Sequence, residues 1–158
     1  MGNYKNFEPE FVSRTVRLID QYVALTTNVK FEDQLNYTLT INCLLGLIVM
    51  PKERIISFLP KARLTNELKA EMGLKESQLP GTDTTLRELI TMMRHSVAHF
   101  DIDVISENDS ELIDWLWFKN TESNKTYARF RATELLPFLR YYTNTVLKNL
   151  ATHQKSAV

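Results

Sequence analysis

Length, composition and charge narrow the classes of protein to which this chain can belong. Its 158 residues, 44% of them hydrophobic, are enough for one domain with a buried core and exclude a disordered tail. Lysine plus arginine number 19 and aspartate plus glutamate number 19, so the net charge is +0. The chain as a whole therefore has no net positive charge that would attract nucleic acid. Nucleic-acid binding would have to depend on a local cluster of basic residues.

The first half of the chain has the spacing of two long helices. In residues 8–26 apolar side chains recur on one helical face, and residues 31–50 give a second long helix. That helix ends at a proline, which suits the first turn of a short helix over 51–58. From 61 to 82 the sequence is polar and contains glycine and proline, so we expect a loop that carries one helical turn near 66–72.

The second half predicts a helix, a hairpin and a last helix. Residues 84–100 have apolar side chains at helical spacing and are called the motif helix below. Residues 114–119 and 126–132 are rich in aromatic and basic residues and enclose the polar run Asn-Thr-Glu-Ser-Asn, which is typical of a β-hairpin. Thr133 would then cap a last helix over 134–152.

These elements predict a single domain, residues 1–158, of the all-α class. Four main helices would form an up-down bundle, with the short β-hairpin between the last two. The sequence has no internal repeat and no low-complexity tract, which agrees with one domain.

The cysteine content and the hydropathy pattern bear on the compartment. The single cysteine, Cys43, cannot form an internal disulfide, and its apolar neighbours predict a buried thiol. Residues 1–10 lack the apolar core of a signal peptide, and the longest apolar run, 43–50, is too short to span a bilayer. We therefore expect a cytoplasmic protein that does not associate with a membrane.

The hairpin aromatics have two interpretations. Trp115 and Trp117 share one face of their strand, and Arg129 and Arg131 share a face of the next strand with Tyr127. They could form a surface that stacks on bases and binds phosphates. They could also pack on the helices and leave the arginines solvated. We favour packing, because aromatic side chains mostly serve as buried area.

The motif helix carries Arg94, His95 and His99 near its end. Its apolar residues fall on one stripe: Leu86, Leu89, Ile90, Met93, Val97 and Phe100. The polar groups should therefore point away from the core. Arg94 and His99 are separated by roughly 140° around the helix, so one helix does not aim both at one point. A second copy of the helix could complete the site, and the small Ala98 would allow its close approach.

Imidazole and guanidinium groups are the side chains that transfer protons and bind phosphate at neutral pH. The alternative is that the histidines are structural or simply exposed. A second alternative is a metal site, because His95 and His99 have the i, i+4 spacing of two zinc ligands. Ser96 stands where a zinc protease would have glutamate, no third ligand is evident, and Arg94 would repel a cation. We therefore expect no metal.

Arg94 and His99 form the pattern Arg-x-x-x-x-His, which resembles the signature of the HEPN superfamily. The run Met-Arg-His-Ser-Val-Ala-His-Phe is similar to the Leu-Arg-Asn-Ser-x-Ala-His runs of that family. Two positions depart from the pattern. His95 stands where asparagine is frequent, and Asp101 stands where some members have a tyrosine, so no role of that tyrosine is carried over.

The resemblance implies a four-helix core and, as in toxin and defence members, endoribonuclease activity without a metal ion or another cofactor. His99 would be the acid or base that acts on the 2′-hydroxyl or the leaving oxygen, and Arg94 would hold the phosphate. His95 and Ser96 would support them. Weaker RNA contacts are expected from three further arginines: Arg87, Arg129 and Arg131.

The resemblance also implies partners. RNA would be the substrate, and a homodimer would place two motif helices across a two-fold axis. A cognate antitoxin or a nucleotidyltransferase would be a further protein partner. Some HEPN-like domains bind nucleotides or a partner without cutting RNA, so a non-catalytic binding module is the alternative function. A structural dimerisation domain is a third hypothesis.

Overall fold

The computed structural model describes residues 3–30, 33–49, 59–107, 109 and 112–156. The short helix expected over 51–58 lies outside them. The described residues form five α-helices, numbered in chain order: α1 (Phe7–Leu25), α2 (Asn36–Val49), α3 (Asn66–Glu71), α4 (Leu86–Ala98) and α5 (Leu135–Ser156). Three strands lie between α4 and α5: β1 (Ile102–Ile105), β2 (Trp115–Asn120) and β3 (Lys125–Arg131).

Most of the helices start and stop close to their predicted bounds, for local reasons, but α2 begins at Asn36, five residues after the predicted start. The motif helix is α4, and it begins with a capping box in which Thr85 and Glu88 bond each other's backbone N–H groups. Those bonds lower the pKa of the Glu88 carboxyl. At the last helix, Thr133 is not the cap, because it lies inside a 3₁₀ turn, Ala132–Glu134, that leads into α5.

The strands form one antiparallel sheet in the order β1-β2-β3. The predicted hairpin is confirmed as β2 and β3, but the all-α class is wrong: the domain is mixed α/β. The sequence did not predict β1, a strand in which Ile102 pairs with Phe118 and Ile105 pairs with Trp115. Three of its four residues are β-branched and favour strands, but so short a strand is stable only when β2 lies beside it.

One face of the sheet joins the hydrophobic core. Its inward side chains are fully or almost fully buried: Leu116, Phe118, Ala128 and Phe130. A run of aromatic contacts links the sheet to α5, with ring centroids 5.8 Å apart for Phe118 and Phe130 and 4.9 Å for Phe130 and Phe138. Each buried phenylalanine contributes roughly 1.5–3 kcal/mol of transfer free energy. The packing interpretation of the hairpin therefore holds for this face.

The helices surround the rest of the core. α1 packs on α2 and α5, α2 also packs on α4 and α5, and α4 packs on β2 and β3. Cys43 is a buried free thiol, as predicted. Its pKa is raised because burial disfavours the thiolate. None of the helices in the described residues has the length and hydropathy that a membrane span requires.

The outer edge of β3 is covered by the loop that precedes α4. Gln78 and Arg129 exchange two backbone hydrogen bonds of 2.8 Å, and the Ser77 hydroxyl accepts the Arg131 N–H at 2.9 Å. This loop is held in turn by the buried carboxylate of Glu134, which accepts the N–H groups of residues 75, 76 and 77 at 2.8–2.9 Å. One side chain thus joins the loop, the sheet edge and the start of α5.

Candidate active site

Two histidines lie together at the carboxyl end of α4. The rings of His95 and His99 are 4.4 Å apart between centroids and tilted by 45°. Their i, i+4 spacing along the helix produces this contact. His95 is half-buried and His99, the C-cap residue, is exposed. The pair therefore has one member held against the protein and one that solvent or a ligand can reach.

His95 is fixed by the sheet. Its Nε2 lies 3.1 Å from Nδ2 of Asn120, the last residue of β2. The same amide donates to the Tyr127 hydroxyl at 2.9 Å, while its Oδ1 accepts the Ser123 N–H at 2.9 Å. These bonds fix the orientation of the amide, and an amide NH₂ only donates. His95 Nε2 must therefore accept, which places its proton on Nδ1.

A β-bulge brings Tyr127 into this network. β2 and β3 are paired in register at Phe118 and Ala128, but Lys119 pairs with Thr126, so Tyr127 has no residue opposite it. Bulges redirect side chains and are common beside functional sites. Here the Tyr127 ring meets the His95 ring edge-on, with centroids 6.2 Å apart.

Asp101 lies beside the histidine pair. The N–H and hydroxyl of Thr121 donate to its carboxylate at 3.0 and 2.6 Å. These bonds are the main cause of the lowered pKa of Asp101, and the nearby His99 and His95 contribute in the same direction. Asp101 thus supplies negative charge beside the histidine pair at this end of α4.

Arg94 lies on a different side of α4 from the histidines. It is half-exposed and has no hydrogen bond or ion pair with the described residues. Its charge acts on Tyr142 of α5, where it opposes the rise in pKa that burial causes in that phenol. The Tyr142 hydroxyl in turn points to the Leu47 carbonyl of α2. Arg94 therefore faces the α2 and α5 side, whereas His95 and His99 face the hairpin.

Ser96 is buried under the site. Its side chain is 0% exposed. Its hydroxyl donates to the Lys119 carbonyl at 2.6 Å and to the Met92 carbonyl at 3.3 Å. Ser96 therefore joins α4 to the end of β2, the strand that carries Asn120. Ser96 can therefore support the site only by holding α4 against the end of β2.

Replacing Ser96 by alanine is expected to reduce stability. The change leaves the buried Lys119 carbonyl without this donor, which costs about 1–2 kcal/mol of unfolding free energy. Urea denaturation followed by circular dichroism would measure it. Ser123→Ala, an exposed serine in the hairpin turn, is the matched control. An unchanged midpoint in the Ser96 variant would contradict the structural role.

The three arginines that were expected as weaker RNA contacts make different contacts within the protein. Arg87 donates from Nε to the Leu59 carbonyl at 3.1 Å. Arg131 forms ion pairs with Asp114 and Glu76, both at 3.3 Å, and with Glu107 at 3.7 Å. Arg129 stacks on the Trp117 ring at 4.2 Å, and its Nε is buried without a partner. Arg129 also donates from Nη1 to the Gln78 side chain at 3.2 Å.

Arg129 also borders a cleft of about 560 Å³ between β3 and the loop before α4. Pockets for small ligands have volumes of roughly 300–1,000 Å³. Its lining combines cationic, acidic, aromatic and apolar groups: Pro80, Asp83, Met92, Lys125, Tyr127 and Arg129. Tyr127 lines the cleft and also belongs to the His95 network.

In the part of the chain that the structure describes, no three His, Cys, Asp or Glu side chains are grouped to hold a metal ion. Sequence reasoning found Arg94, His95 and His99 through their spacing. It did not place Asn120 or Tyr127 beside the histidines, because both lie far along the chain from α4. The only available signal was chemical, since each carries a hydrogen-bonding group next to the hairpin turn.

Comparison with known protein families gives one match over almost the whole chain. The family profile described as HEPN pEK499 p136 matches residues 1–153. Comparisons with curated proteins and with solved structures give no match. The matched residues include α4, the sheet and nearly all of α5.

Proposed function

Since the chain belongs to the HEPN family, we propose that it is an endoribonuclease that cuts RNA without a metal ion, at a site shared by two copies of the chain. HEPN domains are nucleotide-binding or RNase-like modules. The observation that carries the proposal is the end of α4, where Arg94 and His99 both reach solvent and the His99 ring contacts a histidine fixed by Asn120.

His99 is the acid or base of the reaction. It is exposed, and its ring has no hydrogen bond with the described residues, so a substrate can approach it. RNA supplies its own nucleophile: the 2′-hydroxyl loses its proton, its oxygen bonds to phosphorus, and the bond from phosphorus to the 5′ oxygen breaks. The leaving oxygen takes up a proton. The products are a 2′,3′-cyclic phosphate and a 5′-hydroxyl, and DNA lacks the nucleophile.

Arg94 binds the phosphate and stabilises the charge that builds on it. Because Arg94 faces the α2 and α5 side and His99 faces the hairpin, a second subunit would bring the partner's arginine to this histidine. His95 orients the phosphate or serves as a second acid or base. Lys125 and Arg129 lie along a path from the cleft on which the RNA backbone could be neutralised.

The proposal also covers the compartment in which the protein acts and the proteins that bind it. The protein would act in the cytoplasm as a toxin or defence nuclease, with a cognate antitoxin or a nucleotidyltransferase as its protein partner. The alternative is a module that binds nucleotides or a partner without cutting. If the protein is monomeric, the separation of Arg94 from His99 favours this alternative, since a single copy does not assemble the two groups.

Incubation of the pure protein with single-stranded and hairpin RNA in EDTA tests the proposal. We expect cleavage to products with cyclic phosphate ends, identified by mass spectrometry. His99→Ala and Arg94→Ala should each lower the rate by roughly 10²–10³-fold, because each removes a group that acts on the transition state. His95→Ala should have a smaller effect, since its role is orientation.

The controls separate this activity from contamination and from metal catalysis. Arg17→Ala, an exposed arginine on α1, removes the same charge elsewhere and should leave the rate unchanged. Cleavage that persists in His99→Ala would mean that another site or another nuclease is responsible. Loss of activity in EDTA, restored by zinc, would replace this mechanism with the His95–His99 metal site.

A further inference from the structure

The most unusual residue near the site is Phe100, directly after His99. Its φ is +59°, in the left-handed region, and its side chain is 89% exposed. The sequence pattern placed it on the buried stripe of the motif helix. It is not there because α4 ends at Ala98, and the chain has turned away by residue 100.

The turn is a Schellman motif. The Asp101 N–H donates to the Ser96 carbonyl at 2.8 Å, and the Phe100 N–H donates to the Val97 carbonyl at 3.2 Å. In this motif the residue after the C-cap has a left-handed conformation, which is usually supplied by glycine. Phe100 occupies that position.

The same motif occurs at the end of α3 and shows the usual solution. The Leu74 N–H donates to the Lys69 carbonyl at 2.9 Å and the Gly73 N–H to the Ala70 carbonyl at 3.0 Å, with Gly73 at φ +74°. Among the described residues, one further non-glycine residue has a positive φ, Asn124, and asparagine tolerates this conformation. At Phe100 the backbone conformation opposes folding, and the exposed ring buries little area that could offset this cost. Glycine would remove the backbone strain.

Phe100 makes no aromatic contact with the described residues, and its neighbours along the chain are the polar His99 and Asp101. A stable interface between subunits buries several apolar side chains, over about 800 Å² on each partner. A single exposed ring among polar groups suits a flat partner instead. Nucleobases stack on aromatic side chains in this way, without regard to sequence.

We propose that Phe100 stacks on an RNA base next to the phosphate that His99 addresses. The inference rests on the proposed function for the position of that phosphate. Because His99 and Phe100 are adjacent in the chain, with Cα atoms about 3.8 Å apart, one nucleotide chain can contact both residues. Stacking would hold the ribose and phosphate in place for the 2′-hydroxyl, and Phe100 is thus a substrate-binding residue.

Binding of short single-stranded RNA that contains 2-aminopurine tests the stacking. The full chain is used with His99→Ala, so that the RNA stays intact. We expect the fluorescence of the base to be quenched on binding. Phe100→Gly and Phe100→Leu should abolish the quenching and weaken binding by roughly 5- to 150-fold, whereas Phe100→Trp should retain both. Phe7→Leu, an exposed phenylalanine on α1, should change neither.

The stability of the same variants provides an independent measurement. Phe100→Gly should raise Tm, by roughly 2–6 °C, because glycine adopts the left-handed conformation without strain. A variant that is more stable but binds RNA less well cannot be explained by misfolding. A lower Tm in Phe100→Gly would show that the ring packs within the protein and would overturn the proposal.

The remaining outcomes separate this inference from the nuclease proposal. Unchanged binding and cleavage in Phe100→Leu would overturn the stacking role and leave the nuclease intact. Quenching lost in Phe100→Leu, with no cleavage by the unmodified chain, would support the stacking and refute the nuclease. If Phe100→Gly turned a dimer into a monomer in sedimentation, the ring would be a subunit contact and the proposal would be wrong.

Discussion

Heterodimers of the Arg94→Ala and His99→Ala chains are expected to regain roughly half of the activity of the unmodified dimer, although each altered homodimer is inactive. The reason is geometric. If Arg94 of one subunit works with His99 of the other, one of the two sites in the heterodimer has both groups and the other has neither. Co-expression with two affinity tags, followed by tandem purification and an RNA cleavage assay, would measure it.

The control for this experiment is a His99→Ala homodimer whose two subunits carry the same two tags. This control should stay inactive. A mixed heterodimer as inactive as this control would mean that Arg94 and His99 act within one subunit. A strictly monomeric mass at micromolar concentration would also refute the shared site. In that case the separation of Arg94 and His99 across α4 would favour the non-catalytic module.

Glu134→Gln is expected to lower the unfolding free energy by about 2–4 kcal/mol, which is the largest loss of stability predicted here for one substitution. In the carboxylate, Oε1 accepts from residues 75 and 76, and Oε2 accepts the N–H and the hydroxyl of Ser77, the latter at 2.6 Å. The amide of glutamine turns one acceptor into a donor that faces N–H groups. Urea denaturation at pH 7 would measure the change.

The same carboxylate predicts a loss of stability in acid. Burial opposes ionisation of Glu134, but the hydrogen bonds from Ser77 and from the backbone of residues 75–77 outweigh it, so its pKa is lowered from 4.5. The unfolded chain therefore takes up the proton first. The stabilisation is complete above pH 4.5 and declines as the pH falls through the lower pKa of the folded protein.

Comparison of the two proteins across pH isolates this contribution. The difference in unfolding free energy between the unmodified protein and Glu134→Gln should be constant near neutral pH and shrink below about 4.5. Glu122→Gln, an exposed glutamate in the hairpin turn, should show no such difference. A constant difference down to the acid transition would mean that the glutamine acts through packing and not through the charge.

The sequence by itself was sufficient for features that a few neighbouring residues encode. The helical period of α1 and α4, the polar turn of the hairpin and the buried position of Cys43 are all local patterns. Arg94 and His99 were predicted as site residues in the same way, since the spacing between them is a property of the motif. The family match over residues 1–153 agrees with that reading of the motif.

Features that depend on distant pairing were not predictable. β1 is too short to be recognised from its own residues and forms because β2 lies beside it, which is why the all-α class was wrong. Ser96 lies at the edge of the apolar stripe, where the helical pattern does not decide burial, and it is buried because the end of β2 covers it and accepts its hydrogen bond. Phe100 continues the apolar stripe in sequence, but the Schellman turn directs it to solvent.

The candidate site shows the same division between local features and features that depend on distant residues. Periodicity and spacing depend on the geometry of one helix, so the sequence determined which groups lie at the end of α4. The tautomer of His95 depends on Asn120, 25 residues further along the chain, and the position of Tyr127 depends on a bulge between two strands. Only the packing of the sheet against α4 sets such contacts, because a hydrogen bond between distant residues forms after their elements have met.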